Sequence, residues 1–437
     1  MRAVDIIERK RDGAELTAEE IRWLVHGHVA GRVPDYQMAA WLMAVYQRGM
    51  SREETVALTE AMVDSGERVD LSSVPGLKVD KHSTGGVGDT VTLVLVPLMA
   101  SAGLVCAKMS GRSLGHTGGT IDKLESIPGL RTELELEEIL NQAATVGAVI
   151  AEHTAELAPA DRLLYALRDV TATVASLPLI VGSILSKKLA GGADAVVLDV
   201  KCGHGAFMES KEDALHLAQT LVSVGNRMGK RFSALITGMD QPLGRMVGNA
   251  LEVRQAVEVL RGEGPGDLRE VTLALGAELV VLAGEAGGVE EARRRLQTLL
   301  QEGRAWEEFV QLVQAQGGDV RAVEDLGRLP QTGHKEVVEA SRSGYVQHLA
   351  ARNVGLAASL VGAGRTEKAA PVDPTAGVEL AAKVGDQVKE RQPLALLHVG
   401  RAEHLQEAKR LLADAYTIGN EAPSPPPLII DAVRSEE

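Results

Sequence analysis

Apolar positions recur at helical spacing through residues 1–70. Ile6 and Ile7 come first. Ile21, Leu24 and Val25 follow a Thr17-Ala18-Glu19-Glu20 start in which Thr17 and Glu20 suit a capping box. Pro34-Asp35 opens the next helix, which runs through Trp41, Leu42 and Val45 to Gly49, and Ser51-Arg52-Glu53-Glu54 opens another. From Leu77 the pattern changes. Short apolar runs at 77–80, 105–109, 148–151, 195–200 and 232–237 alternate with helices, which implies βαβ units and a parallel sheet. Between 157 and 190 the chain reverts to helix, with Pro159 at one start and Ser176-Leu177-Pro178 at another. That insertion is expected to return to the N-terminal helices.

Residues 245–317 are mostly amphipathic helix, broken at Gly262-Glu263-Gly264-Pro265-Gly266. After a connection at 327–333 come short alternating runs with Gly, Pro and Asp turns, among them Gly344-Tyr345-Val346 and Val384-Gly385-Asp386-Gln387-Val388. They suggest a smaller α+β domain. No Lys sits in an attachment turn of biotinyl or lipoyl type. The tail, with Pro423, Pro425, Pro426 and Pro427, reads as an extension rather than a catalytic element. The expected fold class is therefore α/β, in three parts: a helical domain (1–70 and 157–190), a parallel-sheet α/β phosphate-binding domain (71–156 and 191–330) and a C-terminal α+β domain (331–437).

Composition narrows the function. A chain of 437 residues is too long for one ordinary core. Aromatics are only 3% against 45% hydrophobic residues, so a base-stacking surface for single-stranded nucleic acid is not expected. The formal charge of -14 argues against a nucleic-acid or anionic-membrane partner. Cys106 and Cys202 lack pairing or metal spacing and read as reduced core residues. Residues 1–13 hold no signal-like apolar stretch, and the most apolar window, 91–107, contains Pro97 and falls short of a span. A soluble, cytoplasmic protein is expected.

Against that acidic background two glycine-rich turns stand out. The first, Lys81-His82-Ser83-Thr84-Gly85-Gly86-Val87-Gly88-Asp89-Thr90, follows a strand-like run and precedes a helical one. Glycines let backbone N–H groups approach an anion, Lys81 brings charge and Ser83 a hydroxyl. It is neither a Walker A loop nor a Gly-x-Gly-x-x-Gly turn. The second turn, with Ser110, Gly111, Arg112, Gly115, His116, Thr117, Gly118, Gly119 and Thr120, follows the next strand, and Lys108 precedes it. Carboxyl ends of neighbouring parallel strands face one crevice, so both turns can hold one anion. A third polar set lies on the helical insertion: Arg168 ends one helix, and Ser183 and Lys187, four apart, share a face of the next.

Lys-His-Ser-Thr-Gly-Gly-Val-Gly-Asp, Ser-Gly-Arg-x-Leu-Gly-His-Thr-Gly-Gly-Thr-x-Asp-Lys-Leu-Glu and Leu-Arg-Asp-Val-Thr-Ala-Thr together resemble the thymidine phosphorylase and pyrimidine-nucleoside phosphorylase family over nearly the whole chain. The resemblance implies an active site in a cleft between the helical and α/β domains of a homodimer. It implies that Lys81, Ser83, Thr92, Ser110 and Thr120 bind phosphate with Lys108 close by, Thr92 being Ser in some members. Arg168, Ser183 and Lys187 would bind the pyrimidine, and His82 would be the acid or base at its carbonyl oxygen. Some members bind a monovalent cation near positions matching Gly88, Thr90, Leu243, Met246 and Gln255. Glu stands at the last position there, so this chain lacks the charged ligand. No cofactor is required on this reading, and K+ is the one optional ion.

The implied reaction is a pyrimidine nucleoside plus inorganic phosphate giving free base and pentose 1-phosphate, with uridine, deoxyuridine and thymidine as substrates, in pyrimidine salvage. Breaking the base–sugar bond puts negative charge on the base, which Arg168 and Lys187 would stabilise, while phosphate attacks the anomeric carbon. His82 can protonate a carbonyl oxygen near neutral pH because its ordinary pKa is about 6.5. His116 and His204 read as structural. Phosphate and base groups on different domains imply hinge closure. Three alternatives stay open: a strict thymidine phosphorylase, a phosphoribosyltransferase of the anthranilate type with Asp194 and Asp199 as Mg2+ ligands, and a non-enzymatic binding protein.

Overall fold

The computed structural model describes residues 1–112, 118–154, 156–365 and 371–434. Four helices lead: α1 (Ala3–Arg11), α2 (Ala18–Val29), α3 (Asp35–Arg48) and α4 (Arg52–Val63). The expected box of Thr17 and Glu20 closes the start of α2, and Ser51 with Glu54 does the same for α4. Glu54 also reaches past its own helix. Its buried carboxylate accepts hydrogen bonds from Lys10 at 2.7 and 2.8 Å and from the Leu16 N–H at 2.8 Å, which ties α1 to α4.

The α/β part follows as β1 (Val79–Ser83), α5 (Val91–Ser101), β2 (Cys106–Ser110), α6 (Thr120–Leu124), α7 (Leu136–Thr145) and β3 (Ala148–Glu152). The insertion is α8 (Pro159–Val170) and α9 (Leu177–Ala190), after which come β4 (Ala195–Cys202), α10 (Lys211–Arg227) and β5 (Arg231–Gly238). The strands β1, β4 and β5 pair in parallel, as do β2 and β3. A parallel bridge from Lys78 to Val105 joins the two sets, giving the order β3-β2-β1-β4-β5. The run expected at 77–80 is displaced: β1 keeps its ladder with β4 as far as Ser83 opposite Asp199. Lys81, His82 and Ser83 therefore stand on a strand and point to alternate faces.

The insertion returns to the N-terminal helices, as its periodicity suggests. Ala160 and Leu164 of α8 and Leu179 of α9 share a core with Leu24, Trp41, Leu42 and Leu58. Val181, Ile184 and Leu185 on the other side of α9 pack with the sheet residues Val196, Leu198 and Val200. α9 is thus a wall common to both units, apolar on two faces because it has no solvent side to spare.

After a short strand β6 (Met246–Val247), the helices α11 (Asn249–Leu260), α12 (Gly266–Ala283), α13 (Val289–Gln301) and α14 (Arg304–Ala315) enclose α5, whose residues from Val91 to Met99 are all buried, and α15 (Val320–Glu324) packs on α14. The C-terminal part contains β7 (Lys335–Glu339), β8 (Gly344–Leu349), α16 (Ala351–Ala358), β9 (Gly377–Leu380), β10 (Gln387–Val388), β11 (Pro393–His398), α17 (Leu405–Asp414) and β12 (Tyr416–Gly419). It forms two antiparallel sheets, β6-β9-β11-β7 and β10-β8-β12. The strand β13 (Ile429–Val433) leaves this part and pairs antiparallel with β5. The segment 331–437 therefore lends a strand to the parallel sheet, while β6 is lent the other way. β13 covers an edge whose N–H and C=O groups would otherwise face solvent. Among the described residues no helix is long and apolar enough to cross a membrane.

Candidate active site

A cleft of about 580 Å³ opens at the carboxyl ends of β1, β2 and β3, with α8 and α9 opposite. Its lining includes His82, Ser83, Thr92, Lys108, Ser110 and Thr120 from the α/β side and Arg168, Ser183 and Lys187 from the insertion. Both groups of sequence-expected residues thus face one cavity. Residues Gly115, His116 and Thr117 of the second turn lie outside the described residues.

The first turn is shaped by backbone that only glycine adopts freely: Gly85 has φ 100° and Gly88 φ 70°. At Gly88 a Cβ would stand 2.5 Å from the Leu243 carbonyl, so the turn is pressed against the loop before β6. Ser83 Oγ donates to Asp89 at 2.7 Å and accepts the Gly85 N–H at 3.3 Å.

Lys81, expected on the phosphate, is not part of the cleft lining. Its ammonium is sunk under the turn, 3.0 Å from Asp199 and 3.4 Å from Asp89. Lys201 sits 2.8 Å from the same Asp199. Burial disfavours the Lys81 charge, yet Asp89 and Asp199 outweigh it and hold the ammonium above its ordinary pKa. Asp89 is likewise opposed by burial but drawn far below the carboxylate range by Lys201, Lys81 and Lys123. This quartet of two lysines and two aspartates is self-neutralising. It lies beneath the turn, its charges paired with one another.

The spare charge lies one strand over. Lys108 and Lys188 share a single carboxylate, Asp80, at 3.4 and 2.7 Å. Lys108 also donates to the Lys81 carbonyl at 2.7 Å. Burial first, and the neighbouring Lys188 and Lys81 after it, bring Lys108 down to about 8 against the pull of Asp80. An anion entering here would meet a cation only half compensated.

On the insertion, Arg168 is almost fully buried; it donates to the Leu179 carbonyl at 3.1 Å and the Val174 carbonyl at 2.7 Å, and its Nε has no partner among the described residues. Burial lowers its pKa, with Asp161 and Tyr165 opposing. Ser183 and Lys187 do share a face of α9, and both are engaged by one group that the sequence reading missed. The buried Asp161 on α8 accepts a short hydrogen bond from Ser183 Oγ and lies 2.5 Å from Lys187 Nζ.

His82 departs from expectation. Burial, followed by Lys188, Lys108, Lys187 and Lys81, holds its imidazole well below the ordinary pKa, so in the free cleft it is neutral at pH 7. A second imidazole, His153 at the end of β3, lines the same cleft and is depressed for the same reasons; its buried Nδ1 has no partner among the described residues. His204 makes an edge contact with His348, ring centroids 5.8 Å apart, and is not among the cleft lining.

The five positions matched to a cation site do come together. Gly88 faces the Leu243 and Met246 carbonyls, and the Thr90 hydroxyl stands 3.1 Å from the Gly88 carbonyl. Gln255 closes the group differently from a carboxylate: its Oε1 accepts the N–H groups of Arg245 at 2.6 Å and Met246 at 3.1 Å, and its Nε2 donates to Thr90 Oγ1 at 3.4 Å. An N–H donor stands where a cation needs an oxygen. These residues do not fit the ion. Asp194 and Asp199, the rival Mg2+ pair, do not converge either: Asp194 caps the start of the sheet against Lys78 N–H and Lys230, while Asp199 is held by Lys81, Lys201 and Thr237.

The glycosyl transferase family a/b domain matches residues 76–306, the family's helical bundle domain residues 4–66, and the pyrimidine nucleoside phosphorylase C-terminal domain residues 345–419. A pyrimidine-nucleoside phosphorylase of Geobacillus stearothermophilus is 50% identical over 433 residues, covering 99% of this chain and all of that protein. One of Bacillus subtilis (strain 168) is 49% identical, covering 97% of this chain and 98% of that protein. Among solved structures, an anthranilate phosphoribosyltransferase of Thermus thermophilus superposes with TM-score 0.58 at 21% identity, covering 73% of this chain and all of the other, which is a likeness of fold alone. With three domains matched in order and half its residues shared along almost its full length, the chain belongs to the pyrimidine-nucleoside phosphorylase family of glycosyl transferases.

Proposed function

We propose that this protein catalyses reversible phosphorolysis of pyrimidine nucleosides. A phosphate oxygen forms the new bond to the anomeric carbon, the bond from sugar to base breaks, and the base leaves with the electron pair and takes up a proton. The observation that carries the reading is one cleft lined by Ser83, Thr92, Lys108, Ser110 and Thr120 on one side, by Arg168, Ser183 and Lys187 on the other, and by His82. On this reading the hydroxyls and Lys108 hold the phosphate. Lys81 acts one layer down, through Asp89, on the shape of the turn. Arg168 and Lys187 stabilise the anionic base, and electrostatic stabilisation of this kind is usually the largest catalytic contribution. His82 becomes an acid only when the phosphate dianion offsets the surrounding lysines. Protonation of the leaving base is then tied to occupancy of the phosphate site.

The relatives are named for pyrimidine nucleosides as a class, which supports a broad substrate range, and we read that range as uridine, deoxyuridine and thymidine. Strict thymidine selectivity is the second reading. The decisive experiment follows uracil or thymine release in EDTA, with and without inorganic phosphate. Phosphate-dependent release with accumulation of a pentose 1-phosphate is expected. No release, or consumption of free base only with Mg2+ and a pyrophosphorylated sugar, overturns the reading. Values of kcat/KM for the three nucleosides within about tenfold of one another, about 1.4 kcal/mol in transition-state binding, fit the broad enzyme.

A homodimer belongs to the same proposal. Val4 of α1 and Tyr36, Met43 and Tyr46 of α3 are large apolar side chains exposed on two packed helices, a surface more typical of an interface than of solvent. Light scattering on the protein and on Tyr36→Glu/Met43→Glu tests it, a monomeric parent ruling it out. Two buried free thiols, Cys106 and Cys202, suit the cytoplasm.

A further inference from the structure

Behind the phosphate turn lies a loop, residues 242–246, that braces it: the Leu243 N–H donates to the Val87 carbonyl at 3.0 Å, and Leu243 also backs Gly88. Such a loop is a row of backbone dipoles at the seam of two domains, and each needs a partner. The chain supplies them. Lys383, arriving from the C-terminal part, donates to the Pro242 carbonyl at 2.8 Å and the Gly244 carbonyl at 2.9 Å, and is ion-paired with Asp267, which accepts the Gly244 N–H at 3.0 Å. Gln255 takes the N–H groups of Arg245 and Met246 on its carbonyl oxygen and gives its amide hydrogen to Thr90. Its carboxamide lies flat on Gly244, where a Cβ would collide with Oε1. Gln255 is 1% exposed and Lys383 9%.

Charge decides what else fits. Thr90 Oγ1 is 3.1 Å from Glu252, whose carboxylate is already paired with Lys123 at 2.6 Å. Asp267 is paired with Lys383. With a neutral amide at 255 the pocket balances, and an added monovalent cation would be an uncompensated buried charge. With a carboxylate at 255, two acids would crowd one hydroxyl, and a cation would be needed to hold them. We infer that Gln255 and Lys383 together do in this protein what a bound monovalent cation would otherwise do, so that the phosphate turn is braced, and phosphate is bound, without one.

The experiment reads thermal unfolding of the full chain without substrate, in potassium, sodium or tetramethylammonium chloride at one ionic strength, alongside the phosphate KM. Only the KM arm rests on the phosphorolysis reading, so loss of that reading leaves the unfolding arm intact. The parent is expected to unfold at the same temperature in all three salts, with one phosphate KM. Gln255→Glu is expected to unfold earlier in tetramethylammonium and to be restored by potassium in a saturable way, as linkage requires of a ligand bound to the native state. Lys383→Gln is expected to unfold earlier in every salt. The inference is overturned if the parent's midpoint rises saturably with potassium, if its phosphate KM improves more than about twofold over tetramethylammonium, if Gln255→Glu is as indifferent to potassium as the parent, or if Lys383→Gln leaves the midpoint unmoved.

Discussion

Asp161→Asn sets two effects of one carboxylate against each other. Asp161 fixes Ser183 Oγ and the Lys187 ammonium in one place, and it also cancels the charge that Lys187 would present to an anionic base. A charge-assisted hydrogen bond contributes about 1.5–3 kcal/mol, and Lys187 keeps 28% of its side chain in water, so about 2 kcal/mol is a fair value for the positioning. A freed ammonium about 4 Å from a charge is worth about 4 kcal/mol in a surface-like medium but about 1 kcal/mol in water. The cleft is open and the lysine stem is flexible, so the smaller figure applies. Positioning wins by about 1 kcal/mol, so kcat/KM for the nucleoside should fall by roughly fivefold while the phosphate KM stays put. Steady-state kinetics on Asp161→Asn, Lys187→Met and the double variant check this. In the double variant the Asp161 substitution should cost much less, because its partner is gone. A rise in kcat for Asp161→Asn, or an equal cost in both backgrounds, refutes the reasoning.

Lys108, depressed to about 8 by burial, is charged below that pH and loses its charge above it, so kcat/KM for phosphate should decline as pH rises through about 8, and Lys108→Met should remove that alkaline limb. His82 sits well below its ordinary 6.5 in the free cleft. Histidine NMR should show it titrating below an ordinary histidine without phosphate and moved upward by added phosphate; an unperturbed titration in the free protein would count against the coupling. In the helical part, Lys10→Met leaves Glu54 buried without its cation and should cost about 3–5 kcal/mol, read as a lowered thermal midpoint, whereas Lys10→Met with Glu54→Gln, which removes the buried charge and keeps an oxygen for the Leu16 or Ser51 N–H, should recover part of the loss.

The fold was largely legible because periodicity and caps report directly on local structure: the Thr17 and Ser51 starts, the Pro159 and Ser176 starts and the alternation after Leu77 all reappear as helices and strands. The cleft's side chains were legible as types at turns. What escaped was pairing. Lys81 reads as a phosphate ligand from its charge beside a glycine turn, whereas strand β1 runs on past it and its ammonium lies under the turn between Asp89 and Asp199. Asp199 and Lys201, two charges in a strand buried along its whole length, were a readable signal of an internal ion lattice. Asp161 and His153 gave no local sign, since their partners are set by the approach of α8 to α9 and of β3 to β2. Sequence periodicity states which face is buried and says nothing about who lies across it.

The strand exchange at the sheet edge has a temporal meaning. β13 closes the free side of β5 only after the chain has made the whole C-terminal unit that lies between them. Until then the nascent α/β part carries an uncovered, hydrophobic edge of the kind that recruits other chains, and its closing contact is among the longest-range in the molecule. The protein therefore postpones its own sealing, and the span between translation of β5 and arrival of β13 is the interval in which it depends most on not meeting a second copy of itself.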